Sequence, residues 1–325
     1  MLNKWMWMGV IGIAGSAGIL QASTLVVPRH YYVPYTNTIS PTDVDVSGTL
    51  RVMSGGVFHP NTLDIFNGGT VNSAAPSGEE NGDVYFDGGS ISIQSITITG
   101  PAARVFVNSL VVAESVNNGA DVYVNDNFFV IGGAGTYSTS ARTVVSSSGV
   151  LRVGTFEQTD SLASLQGEGQ VWADTFDFSG PGHIEPGIGA WDPGNLTLKS
   201  SSTIDLNEAN LILDFDPYVG SDHLTIDGNI GGSINVLPSF VYSDPSELSG
   251  HGPFIFLTAN TMSATLNLVD PSYTEVYDND LNLVGHMVLK TNSTSAWFEY
   301  QPVPEPVLGL LVASGVLAGL RRRRS

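Results

Sequence analysis

Cysteine is absent from all 325 residues. Disulfide staples and thiol nucleophiles are therefore excluded, and the fold is indifferent to the redox state around it. Basic residues are also scarce: twelve Lys and Arg stand against thirty-one Asp and Glu, a formal net charge of −19. A nucleic-acid binder displaces counterions from phosphate with basic side chains, so nucleic acid is excluded as a partner. Anionic polysaccharide would be repelled too, unless divalent cations bridge it. Catalytic signatures are missing as well. The body of the chain holds no Gly-x-Ser-x-Gly elbow, no Gly-x-x-x-x-Gly-Lys phosphate loop and no Gly-x-Gly-x-x-Gly fingerprint. Its six histidines, His30, His59, His183, His223, His251 and His286, lie far apart, and none has zinc-ligand spacing with another.

What the body does hold is short β-branched runs that alternate apolar and polar residues and break at Gly, Asn, Ser or Asp. Thr49-Leu50-Arg51-Val52, Asp83-Val84-Tyr85-Phe86, Arg104-Val105-Phe106-Val107, Asp121-Val122-Tyr123-Val124, Val150-Leu151-Arg152-Val153 and Gln170-Val171-Trp172-Ala173 share one cadence. A loose period near twenty residues suits one coil of a parallel β-helix, because no coil buries its apolar face until a neighbour stacks on it. Glycine pairs such as Asp87-Gly88-Gly89 and Asn117-Asn118-Gly119 supply the corners. The same chemistry makes antiparallel hairpins, so a β-sandwich is the alternative. The expected class is all-β, with a solenoid over 43–236, a C-terminal β cap over 237–302, and a hydrophobic helix at each end of the chain.

Both ends read as export signals. Residues 1–22 carry Lys4, an apolar run from Trp5 to Leu20, and Ala22 before Ser23, the pattern of a cleaved secretory signal peptide. An extended Pro/Tyr arm follows over 23–42. The last twenty-three residues, 303–325, hold Val303-Pro304-Glu305-Pro306, an uncharged run from Val307 to Leu320, and Arg321, Arg322, Arg323 and Arg324. The two prolines keep the motif extended, and the arginines hold the cytoplasmic side of a membrane. Fourteen helical residues span only about 21 Å, short of the roughly 30 Å hydrocarbon core. This tail resembles the PEP-CTERM sorting signal. The resemblance implies recognition by an exosortase-type membrane enzyme, transient residence in the inner membrane, and release to the cell surface or an exopolysaccharide matrix. Without the signals, seven cations face thirty acids, a net charge near −23.

Between Gly180 and Gly228, the segments Gly182-His183-Ile184-Glu185-Pro186-Gly187, Asp192-Pro193-Gly194-Asn195-Leu196 and Ser221-Asp222-His223-Leu224 resemble the closing region of autotransporter-type β-helical passengers. No outer-membrane barrel follows. Gly250-His251-Gly252 is similar to a short element of β-helical polygalacturonases, whose adjacent Asp-Asp pair has no counterpart here. The carboxylate pairs Asp43 with Asp45, Asp214 with Asp216, Asp222 with Asp227, and Asp278 with Asp280 are candidate calcium ligands, and no other cofactor is expected. Trp172, Trp191 and Trp297, with Tyr85 and Tyr123, are candidate platforms for sugar rings, though stacked tyrosines also serve cross-coil packing. The expected function is that of a noncatalytic surface or matrix protein. A carbohydrate-binding module and a polysaccharide lyase or hydrolase are the alternatives.

Overall fold

A computed structural model describes residues 24–303 apart from 28–31, 36–41, 47–48, 54–56, 67–82, 100–102, 132–134, 181, 189–192, 208, 243, 251 and 279. These residues form one sheet of 16 strands and another of 12, with a short helix at Pro245–Gly250 and a 3-10 turn at Pro271–Thr274. The chain alternates between the sheets, one pass through both making a coil. Each strand pairs in parallel with its counterpart a coil earlier. Arg104–Val107 lies between Asp83–Phe86 and Asp121–Val124 in the smaller sheet, and Val111–Asn118 pairs with Ser90–Thr99 in the larger. A sandwich of hairpins would pair neighbours in sequence and antiparallel. The observed winding is instead compatible with the expected parallel β-helix.

Alternation explains the inward rows, and a slip in the alternation explains the corners. In Ser90–Thr99 the buried residues are Ile91, Ile93, Ile96 and Ile98, so Gln94 and Ser95 both face outward. Two consecutive outward residues reverse the pleat and bend the strand there. Val111–Asn118 repeats this with Val111, Ala113, Val116 and Asn118, and Val150–Gln158 with Leu151, Val153, Phe156 and Gln158. Register then stacks like on like. Phe58, Ile91, Val111, Phe128, Leu151, Val171, Leu198 and Ile226 form one inward file. Each is at most 4% exposed, and full burial of such a side chain contributes about 1.5–3 kcal/mol.

One polar cluster interrupts this core. Asn118 donates through Nδ2 to Tyr137 Oη at 3.2 Å and to Thr139 Oγ1 at 3.1 Å, and its Oδ1 accepts from Ala120 N at 3.0 Å. Tyr137 Oη shares a further 2.9 Å bond with Thr143 Oγ1. All four side chains are buried, and burial pushes the Tyr137 phenol well above its usual range.

Parallel pairing continues past residue 237, through Phe254–Met262 and Thr265–Leu268. Antiparallel pairing closes the fold: Ser295–Pro302 joins the far edge of Phe254–Met262, followed by Leu283–Thr291 and Glu275–Tyr277. Phe298 anchors this cover against Phe256, Phe240 and Phe215, with ring centroids 5.2, 5.3 and 5.5 Å away. The hydrophobic helices expected over 1–22 and 307–320 lie outside the described residues and gain no support here. Among the described residues no helix is long and apolar enough to cross a membrane.

Candidate functional site

The outward rows of the smaller sheet satisfy one another. Asp83, Arg104, Asp121 and Arg142 occupy one row in successive coils, alternating in sign. Arg104 grips Asp83 with both guanidinium arms, Nε lying 3.0 Å from Oδ1, and Arg142 pairs with Asp121. In the adjoining row, Tyr85, Phe106 and Tyr123 stack at centroid distances of 4.6 and 4.9 Å, with ring planes 5° and 7° apart. Arg51 covers the Tyr85 ring at 5.0 Å, and Arg142 lies over Tyr123 at 5.4 Å. The inner faces of both tyrosines are thus used in cross-coil packing. A turn ladder runs beside them, Asn125 donating to Asn108 and Asn108 to Asp87, each at 2.8 Å.

The larger sheet differs. Register sets Phe129, Arg152, Trp172, Lys199 and Asp227 in one outward file. Trp172 lies beneath two cations, the Arg152 guanidinium 6.0 Å and Lys199 Nζ 5.0 Å from its ring centre. Its Nε1 donates to Gln170 Oε1 at 2.9 Å. Lys199 pairs with Asp227 at 2.6 Å. Beside this file the corner residues are small, including Gly135, Gly154, Ser200 and Gly228, which leaves a groove of about 660 Å³. Gly154 N donates to Gly135 O at 2.8 Å, and a Cβ on Gly135 would sit 3.3 Å from Gly154 N. The backbones therefore meet closely at the groove floor.

Among the described residues Arg152 has no carboxylate partner, whereas Arg51, Arg104 and Arg142 hold Asp87, Asp83 and Asp121. The groove thus combines an aromatic edge, an unpaired guanidinium, the Asp174 carboxylate, and polar side chains such as Asn229 and Asn260. That mixture of apolar surface and convergent polar groups is typical of ligand sites. Cadence marked Trp172 as an outward aromatic; the unpaired arginine one coil earlier carries no local signature in the sequence.

Asp43 and Asp45 face outward from one strand, as their spacing implies, whereas Asp222 and Asp227 separate. Asp222, 1% exposed, accepts from Gly194 N at 2.9 Å and from Asp214 N at 2.7 Å, while Asp227 faces Lys199. Burial pushes Asp222 up to about 7 against those two backbone bonds, and the charges of Asp214 and Glu185 add to the rise. Asp214 is buried, whereas Asp216 accepts from Tyr218 N and Val219 N in a turn. Asp43 accepts from Thr62 Oγ1 at 2.9 Å, and Asp278 closes a turn by accepting from Asp280 N and Asn282 N. Among the described residues no three His, Asp or Glu gather to hold a metal. Trp297 pairs in the cap with Ile255 and Lys290, away from Trp172. Ala22, Ser23, Trp191, His251, Pro304, Glu305, Pro306 and Arg321 to Arg324 lie outside the described residues, and Val303 is the last one inside.

Comparison with family models, curated proteins and solved structures finds no match to this chain.

Proposed function

We propose that this chain is an exported structural protein of a bacterial surface or exopolysaccharide matrix, built as a parallel β-helix with a C-terminal β cap. An exosortase-type membrane enzyme recognises Val303 to Pro306 while the apolar run and Arg321 to Arg324 hold the tail in the inner membrane. The observation that carries this reading is the order of three tail elements, motif, apolar run and basic cluster, downstream of an Ala22-Ser23 leader. Support comes also from the body, whose charged, aromatic and asparagine rows bind one coil to the next and suit a stiff, self-contained rod. The test is fractionation of a host with and without its exosortase. Full chain should reach the medium or matrix shortened at its C-terminus only when the enzyme is present, and deletion of 303–325 should stop sorting. Equal release of intact chain from both hosts refutes it.

A second reading, binding of matrix glycan, is favoured by one observation: the groove of about 660 Å³ beside Trp172, lined by hydroxyl, amide and charged groups. Retention of the purified protein on the host's own matrix polymer, lost in Trp172→Ala, is the measurement that decides it.

A further inference from the structure

The groove's length, its aromatic edge and its unpaired cation together narrow what it holds. Its lining spans six successive coils: Ile131 and Gly135, between the strands Asn127–Val130 and Thr136–Thr139, then residues of five successive strands of the larger sheet as far as Asn260. Five interstrand spacings of roughly 4.8 Å make it about 24 Å long, running along the winding axis. That is the footprint of a polymer segment rather than of one small molecule. Trp172 divides the groove, and its ring faces already carry Arg152 and Lys199. A sugar ring therefore packs along the indole edge and the glycine floor at Gly154, not flat on the indole.

Charge sets the chemistry. Three described arginines hold an aspartate each and Lys199 holds Asp227, whereas the exposed Arg152, which lines the groove, pairs with no carboxylate among the described residues. A guanidinium matches a carboxylate bidentately, and the Trp172 ring 6.0 Å away gives it an aromatic neighbour in the groove. We infer that the Arg152–Trp172 groove binds a polysaccharide segment carrying a carboxylate-bearing sugar, whose carboxylate pairs with Arg152. Asp174, two residues beyond Trp172 in the same strand, also lines the groove and has no cation of its own. It accepts sugar hydroxyls and repels a second acid group, so the preferred segment places one acidic unit among neutral ones. The acidic remainder of the protein does not prevent this, because charges beyond about 8 Å are screened at physiological salt.

This inference rests on the glycan-binding reading, and the experiment separates the two. The probes are a hexasaccharide with one glucuronate among neutral hexoses and the same hexasaccharide with its carboxyl reduced to an alcohol. Binding to detergent-solubilised full chain is measured by calorimetry. The acidic probe should bind roughly five- to tenfold more tightly than the reduced one, the scale of one solvent-open charge-assisted pair. Arg152→Gln should remove that preference, bringing the two probes to equal affinity, and added salt should weaken the acidic probe more than the reduced one. Equal affinity of wild type for both probes overturns the inference and leaves glycan binding standing. Binding of neither overturns both. A preference that survives Arg152→Gln overturns the assignment to Arg152, and the wild-type comparison needs no variant to fold.

Discussion

Replacing Phe106 with alanine tests whether the aromatic row of the smaller sheet is a structural spine. Phe106 is half-buried and lies parallel to Tyr85 and Tyr123 at 4.6 and 4.9 Å. Each such stack is worth about 0.5–1.5 kcal/mol beyond its buried area. Losing half the apolar burial of a phenylalanine adds about 1 kcal/mol. Tyr85 and Tyr123 cannot close the gap, because they sit two strand spacings apart, roughly 9.5 Å. The expected destabilisation is therefore about 2–4 kcal/mol, measured by urea unfolding followed by circular dichroism. Phe106→Leu keeps apolar volume without the stack and should recover about half. Because each coil contacts only its neighbours, Phe106→Ala should also lower the denaturant slope as the two halves begin to unfold separately. A change under about 0.5 kcal/mol in Phe106→Ala would show that the stack is not holding coils together, and would return these tyrosines to the list of sugar platforms.

Asp222 predicts an unusual pH trend. Burial raises its folded pKa to about 7, above the unfolded value of about 3.9, so the folded state binds more protons between those limits. Stability from this group is then complete below about pH 4, declines as pH rises, and is lost above about 7. Urea midpoints should fall from pH 5 to pH 8, and fall less in Asp222→Asn; identical slopes in the two proteins would count against the assignment. Two glycines separate backbone conformation from close approach. Gly167 has φ +125° and a Cβ there would lie 2.0 Å from Val145 O, whereas Gly220, at φ +135°, has nothing within 4 Å. Gly220→Ala should cost about 1 kcal/mol of conformational strain, and Gly167→Ala should cost at least about 2 kcal/mol more because the overlap adds to it. Equal melting temperatures for the two variants would refute the tight packing at Gly167.

Much of this architecture was legible in the sequence, because period-two burial and glycine corners are local properties. The runs at Asp83, Arg104 and Asp121 fall in register as their shared cadence implies. Pairing direction was harder to read. Phe254-Ile255-Phe256-Leu257 alternates in the same way whether its neighbour is parallel or antiparallel, and it has one of each. The corner in the larger sheet is a single extra outward residue, Gln94 beside Ser95, easily mistaken for noise in the alternation. Asn118, Tyr137, Thr139 and Thr143 read as polar positions, yet they meet inside because residues nineteen to twenty-five apart stack in neighbouring coils. The groove is the least legible feature. Arg152 and Lys199 flank Trp172 only through register, and Arg152 stands out only once its fellow arginines are seen to be occupied.

The last strand of the cap carries a consequence for delivery. Ser295–Pro302 is knitted along its length to Leu283–Thr291, and Val303 N still donates to Val284 O at 2.8 Å. Val303 is the first residue of the proposed sorting motif, and Pro304 follows it in the chain. On the sorting reading proposed above, an enzyme that takes up this motif meets Val303 already bound to the last sheet of the cap. That reading would tie sorting to closure of the cap, because the strand that covers the open edge of Phe254–Met262 leads directly into the proposed motif.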